Sequence, residues 1–335
     1  MFVCIISCEH LVNASHCATP FQAMTKLTEK RLDKFRRQDR MQAGSLIISL
    51  FGDAIYPRGG AIWLGCLIQL LEPLGVNERL VRTAIYRLVK EDWLITQSHG
   101  RRTDYALSPN GIQRIEEASK AIYAAQSPPW DQQWRLLMLD SLISHKDKER
   151  IRKALIWQGF GQWQHQVFVH PGADLPMAMT LLEREGLGHL QQHIWPLSAQ
   201  TLPHSPGLSN KEVAANAWDL GQLATSYRQF VKTYQGLIDE WPEAPAQRKH
   251  VQNGNAFLLR LLLIHDYRRL LLRDPGLPLS LLPDAWPGQA ARAICTELYQ
   301  RLSVPSETYL GEYVQLADGR LTICQSLFEN RFRMC

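Results

Sequence analysis

What this chain lacks narrows its possible functions before any motif is read. No apolar run approaches the roughly 18 residues needed to cross a bilayer, and the longest, FLLRLLLIH, is short and broken by Arg260. There is no G-x-S-x-G elbow, no Walker loop and no G-x-G-x-x-G turn, which removes common signs of acyl transfer, nucleotide hydrolysis and dinucleotide binding. Seven cysteines are scattered through 335 residues, an odd and dispersed count that opposes a disulfide framework and fits a reducing cytoplasm. Clustered acids for a metal nuclease are also missing: Asp131 and Asp140 stand apart, and Lys148 separates Asp147 from Glu149. His265 and Asp266 are sequence neighbours, so on a helix they diverge by about 100° and do not form a dyad. No catalytic residues and no enzymatic activity are expected.

The first 23 residues contain no basic side chain, so the charged n-region of a secretory signal is absent. Cys4, Cys8, His10, His16 and Cys17 are metal-ligand types, but their spacing is not that of a zinc site, and no metal is expected. Met24 is the expected true start, with Met41 as the second choice, and residues 1–23 are set apart from the fold.

What is present begins with charge. The net charge is +5, and its placement matters more than its size. Residues 1–102 hold 14 Lys/Arg against 9 Asp/Glu, whereas residues 103–335 hold 23 of each. All the excess positive charge lies in the first third, the electrostatic footprint of a nucleic-acid-binding module joined to a neutral body. With 45% apolar and 21% charged residues the chain has an ordinary globular composition, and its length suits two or three domains.

The basic third has a readable order. GSLIISLFGDAIYPRGG predicts a helix ending near Tyr56, and AIWLGCLIQLLEPLG a second, stopped by Pro73 and Gly75. A third begins after Asn77, a good N-cap, with Val81, Ala84, Ile85, Leu88 and Val89 recurring at helical spacing. Its other face carries Arg79, Arg82, Thr83, Tyr86, Arg87 and Lys90 in two adjacent rows four residues apart. A solvated helix face usually mixes signs; this one is basic from Arg79 to Lys90. Leu94 to Ser98 and Arg102 to Leu107 then read as a hairpin turning at His99-Gly100, with Arg101 and Arg102 at its tip. Three helices followed by a hairpin with a basic tip is the order of a winged helix-turn-helix, in which the helix after the turn enters the major groove and the wing meets phosphates or the minor groove.

After a connector helix ending in Pro-Pro, QWRLLML, KDKERIRKALIWQG, QVFVHP, PMAMTLLEREGLG and HLQQHIWPL alternate β-α-β-α-β, which suggests a small ferredoxin-like domain. From Ser209 the pattern is helical. SNKEVAANAWDLGQLATSYRQFVKTYQGLIDEW reads as one long amphipathic stretch, GQAARAICTELYQRL as a last helix, and the tail from Val304 as patternless. NAFLLRLLLIHDYRRLLLRDP is apolar on nearly all sides and so central to its bundle. His265, Asp266, Tyr267, Arg268, Arg269 and Arg273 follow directly on that apolar run. Two explanations stand: internal ion pairs and hydrogen bonds, because buried charge must be paired, or a pocket for an anionic ligand.

At this point the chain resembles a known family. RGGAIWLGCLIQLLEPLGVNERLVRTAIYRLVKEDWL with GRRTDYALSPNG, the middle LIWQGFG and the later LLLIHDYRRLLLRDPGLP are similar to the phenylacetic acid degradation repressors (PaaX-like), over about Gly44 to Leu302. The resemblance implies an α+β multidomain protein with an N-terminal winged helix-turn-helix, a central ferredoxin-like βαβ domain akin to a CRISPR-adaptation endoribonuclease fold, and a C-terminal helical domain. The corresponding boundaries are 24–125, 126–205 and 206–335. It implies a cytoplasmic, dimeric repressor of phenylacetate catabolism that binds double-stranded operator DNA and is released by phenylacetyl-coenzyme A, with no cofactor. Arg79, Arg82, Thr83, Tyr86, Arg87, Lys90, Arg101 and Arg102 are then the DNA-binding candidates. His265, Tyr267, Arg268, Arg269 and Trp157 are the ligand candidates, with Phe160 as a further wall. A nuclease and an architectural DNA binder without an inducer are the competing readings.

Overall fold

The structure is a computed structural model, which describes residues 26–38, 42–124, 129–200, 207–241, 253–324 and 331–332. The segment before Met24 and Met41 itself, on which the start-site expectation falls, lie outside the described residues.

The chain opens with α1 (Lys26–Arg36) and α2 (Ala43–Leu50), the latter continuing through a π turn and a short 3-10 turn to Arg58. Gly59 and Gly60, both at positive φ, then reverse the chain. The next three residues depart from expectation. Ala61–Trp63 form strand β1 rather than the start of a helix, which begins only at α3 (Leu64–Leu71). The apolar run hides this switch, because three strand residues and a helix turn look alike without a break in periodicity.

Helix α4 (Glu78–Lys90) follows, capped as expected by Asn77, whose side chain accepts from the Leu80 amide at 2.9 Å. Strands β2 (Leu94–His99) and β3 (Arg102–Leu107) make the hairpin. His99 pairs with Arg102, so the turn is Gly100-Arg101 and not His99-Gly100. Gly100 has the positive φ that such a tight turn requires. β1 joins the far side of β3, giving a three-stranded antiparallel sheet in the order β1-β3-β2. Ser108 caps helix α5 (Pro109–Ile122) by accepting from Gly111 N.

The middle region contains β4 (Trp134–Leu139), α6 (His145–Trp157), β5 (Gly161–Gln164), β6 (Val167–His170), α7 (Leu175–Leu182) and β7 (Ile194–Ala199). Its sheet is antiparallel throughout, in the order β5-β6-β4-β7. The sequence pattern misses β5, a four-residue strand with a register irregularity at Gln162/Gln164, too short for an alternation to register. The observed order is therefore β-α-β-β-α-β.

The remaining helices are α8 (Asn210–Ala217), α9 (Leu220–Tyr234), α10 (Leu237–Glu240), α11 (Asn253–Leu271) and α12 (Pro287–Tyr313). Trp218, at φ −127° and ψ 147°, breaks the expected single stretch into α8 and α9. α12 runs through Pro305 to Tyr313, past the point where the sequence looks patternless. Its turns beyond Val304 are held by packing: Tyr309 and Leu310 enter the same core as Leu32 and Ile47.

Why α11 is apolar all round is now plain. Phe257, Leu258, Leu261 and Leu262 join the core of the first module, while Leu259, Leu263, Ile264 and Tyr267 join the core of the helical region. Two cores share one helix, and each fully buried leucine contributes about 1.5–3 kcal/mol. α1 docks on the same helix: Arg31 pairs with Asp266 at 2.6 Å and donates to Tyr234 Oη. The middle sheet and its helices enclose a third, separate core around Leu137, Ile151, Phe168 and Leu182.

Candidate nucleic-acid interface

Helix α4 divides cleanly. Val81, Ala84, Ile85 and Leu88 are buried against the module core, and Arg79, Arg82, Thr83, Tyr86, Arg87 and Lys90 are all exposed, with Tyr86 at 72%. Phenol and guanidinium groups therefore stand together on one face. Arg82 pairs with Glu78 one turn earlier at 2.7 Å, a surface contact that holds the side chain weakly and exchanges readily. Thr83 donates its hydroxyl to the Arg79 carbonyl at 2.8 Å and keeps its oxygen free to accept. Arg79, Arg87 and Lys90 form no ion pair among the described residues. A helix that offers uncompensated cations and an exposed tyrosine fits a polyanion better than it fits water.

The two hairpin arginines prove unequal. Arg101 sits in the turn, exposed and without a described partner. Arg102 is turned back: its guanidinium lies 4.7 Å from the Trp63 ring centroid and donates to the Ala317 carbonyl at 3.2 Å. Asp104, buried on the same strand, accepts from the Ala317 amide at 2.7 Å, and Trp63 N donates to the Gln315 carbonyl. The segment after α12 thus braces the hairpin. Sequence reasoning missed this support because its partners lie more than 200 residues from the hairpin.

The ligand candidates do not share a cavity. His265 is buried, its Nδ1 3.1 Å from Ser49 Oγ, and burial pushes its pKa down to about 4. Arg268 donates to Ser49 Oγ at 3.0 Å and to the Ser45 hydroxyl at 2.7 Å, and burial, with neighbouring Arg269, lowers it to about 10. Both side chains tie α11 to α2. Arg269 lines a cleft of about 460 Å³ with Arg31, Lys34, Asp266 and Arg273. Tyr267 lines a different cleft, of about 970 Å³. The two residues are two apart, about 200° around a helix, which is why one pocket cannot hold both. Trp157 is 91% exposed at the end of α6, and Phe160 is buried in the core of the middle region; neither walls these clefts.

A buried charge network went unnoticed in the sequence. Asp53, on the π turn after α2, accepts from Arg260 Nε at 2.8 Å, Arg331 Nη1 at 3.2 Å, Tyr123 Oη at 2.8 Å and Tyr299 Oη at 3.0 Å. Arg260 also reaches Glu307 at 2.7 Å, which in turn pairs with Arg58. Burial alone would raise the Asp53 carboxyl, but Arg260 and then Arg331 overcome it and hold it below the ordinary range. The group joins α5, α11, α12 and residue 331 to the basic module. Only the interruption of FLLRLLLIH by Arg260 pointed to it. Among the described residues, no three His, Cys, Asp or Glu side chains gather as a metal site, and no helix is long and apolar enough to cross a membrane.

Three family models match the chain in order: PaaX-like protein over residues 42–111, PaaX protein central Cas2-like domain over 127–205, and PaaX-like protein C-terminal domain over 218–312. The chain is 37% identical over 288 residues to the transcriptional repressor PaaX of Escherichia coli (strain K12), covering 86% of this chain and 89% of that one. Among solved structures, the uncharacterized protein Rv0674 from Mycobacterium tuberculosis matches at 21% identity, covering 72% of this chain and 90% of that chain with a TM-score of 0.45. The exposed basic face of α4 lies inside the first of these matched regions, the antiparallel middle sheet inside the second and the two-core helix α11 inside the third, and by that agreement over most of its length the chain belongs to the PaaX-like family, a family of regulators and not of enzymes.

Proposed function

We propose that the protein is a transcriptional repressor of phenylacetate catabolism genes, acting as a cytoplasmic homodimer on double-stranded operator DNA. Residues 42–111 work as a winged helix-turn-helix. α4 enters the major groove with Arg79, Arg82, Thr83, Tyr86, Arg87 and Lys90, and the hairpin tip places Arg101 on a phosphate. Arg102 acts indirectly, by holding the hairpin to Trp63 and Ala317. The observation that carries this reading is the exposed cationic face of α4, where Arg79, Arg87 and Lys90 have no ion pair among the described residues, beside a basic hairpin tip. The β-α-β-β-α-β middle sheet supports the ferredoxin-like assignment, and the repressor named for the E. coli relative supports the regulatory one.

Phenylacetyl-coenzyme A releases the repressor by binding the DNA-incompetent arrangement more tightly, with a coupling of about 1–3 kcal/mol. Of the ligand candidates, Tyr267 and Arg269 remain available to a ligand because they line clefts. His265 and Arg268 transmit the change to α2 through Ser49 and Ser45, and Trp157, which lines neither cleft, is the least supported of the candidates. Gel-shift titration tests this: phenylacetyl-coenzyme A dissociates the operator complex and free phenylacetate does not. Equal dissociation by both refutes recognition of the coenzyme. An architectural binder, by contrast, is displaced equally by operator and by unrelated duplex.

A further inference from the structure

The cleft of about 970 Å³ lies where three parts of the chain meet. Lys120 and Ala121 come from the connector helix α5 and Ala124 from just after it, Tyr227 from α9, and Tyr267 and Leu271 from α11. Trp286, Arg292 and Ala293 complete it from the start of α12. Such a volume is at the upper end of small-molecule sites.

One region of the cleft is aromatic. Tyr227 and Trp286 meet edge-on at 5.9 Å between centroids, beside Tyr267 and Leu282. Tyr227 donates its hydroxyl to Asp274, so its ring is fixed and its polar tip satisfied. The cleft also contains two acids and two cations, and their pairing decides its net character. Asp274 is occupied by Tyr227 and by the Gly276 amide, and Glu297 is paired with Arg301. Arg292 and Lys120 form no ion pair among the described residues. Arg292 is half-buried and lines the cleft with Tyr267, and Lys120 is exposed on α5. The cleft therefore couples an apolar aromatic pocket to two positive charges that no ion pair among the described residues neutralises, the requirement for an aromatic ring carried on a phosphate-bearing group.

We propose that this cleft seats the acyl-coenzyme A effector, with its aromatic acyl group against Trp286, Tyr227 and Tyr267 and its phosphates at Arg292 and Lys120. The placement rests on the reading above that an acyl-coenzyme A is the effector. It also supplies a route to the DNA. α5 follows β3 directly through the Ser108 cap, and its Tyr123 donates to Asp53 in the basic module. An occupant touching Lys120, Ala121 and Ala124 bears on the end of α5, which leads from the basic module towards the middle region and packs Ile122 into the core of the helical region.

Isothermal titration of the full chain with phenylacetyl-coenzyme A, coenzyme A and phenylacetate tests the site. Arg292→Gln and Lys120→Gln should each weaken phenylacetyl-coenzyme A binding, by tenfold or more for Arg292→Gln. Ala293→Trp, which fills the cleft from an exposed helix position, should abolish it. Hydrogen exchange of the unaltered protein should slow in residues 286–300 on adding the ligand, a readout independent of whether Ala293→Trp folds. Tight binding by wild type, with unchanged affinity in both glutamine variants and no protection at 286–300, overturns the site and leaves the effector reading intact. No binding by wild type overturns both. Binding that obeys the site predictions but leaves the operator complex undisturbed upholds the site and refutes release.

Discussion

Replacing Arg260 by methionine removes the central cation of the buried network and keeps most of the side-chain volume. The side chains of Arg260 and Asp53 are 1% and 2% exposed, so bulk water replaces the lost partner poorly. Asp53 would retain Arg331, Tyr123 and Tyr299, whereas Glu307 would retain Arg58. Breaking a buried pair by removing one partner costs about 3–5 kcal/mol where the other charge is left uncompensated; because Arg331 stays beside Asp53 and Arg58 beside Glu307, the loss here falls at the lower end, about 3 kcal/mol. Against a typical total of about 5–15 kcal/mol, that loss takes a large part of the stability. Asp53→Asn should cost a similar amount, and the double variant clearly less than the sum, since each change removes the other's unpaired charge. Urea unfolding of the four proteins measures the cycle. Single-variant losses below about 1 kcal/mol, adding to within about 0.5 kcal/mol, would refute the reasoning. The carboxyl of Asp53 is held below 3.8, so its stabilisation is complete above that pH and is lost as pH falls through its lower folded value.

Further outcomes follow from single groups. His265 drops from 6.5 to about 4 on burial, so the folded state resists its protonation. Stability is full above pH 6.5 and falls between 6.5 and about 4, by about 3 kcal/mol at most; thermal melts of His265→Gln should show a shallower decline, with His170, also lowered to about 4, supplying what remains. Neutralising Arg101 should lower the slope of log K against log salt by about 1 with sequence preference kept. Arg102→Ala should instead loosen the hairpin, read as faster hydrogen exchange in β2 and β3. Gly111→Ala places a Cβ 2.2 Å from the Trp93 carbonyl oxygen, and chemical denaturation should register a loss of about 1–3 kcal/mol.

The parts of this fold legible in the sequence are those whose signals are local. α4 declares itself by Asn77 and the spacing of Val81, Ile85 and Leu88, and the hairpin by two short runs around Gly100. β1 and β5 are three and four residues long, below the length at which alternation can be told from a helix. The end of α12 carries Pro305, a local breaker that tertiary packing overrides. Asp53 could not be placed because its partners lie between 70 and 278 residues away. The charges of α11 need partners wherever they are buried, whether within the protein or in a ligand, but which way each points depends on what surrounds the helix. α1 and α2 claim Asp266, His265 and Arg268, and two separate clefts receive Tyr267 and Arg269.

On the reading proposed above, the exposed face of α4 is what recognises DNA. Fluorescence anisotropy with a labelled operator from upstream of the phenylacetate genes, at fixed salt, compares wild type with Arg87→Ala. Arg87→Ala should lose about 1–3 kcal/mol in operator affinity, with preference relaxed at one base position and binding to unrelated duplex much less affected. Unchanged operator affinity in folded Arg87→Ala and Arg82→Ala would contradict it.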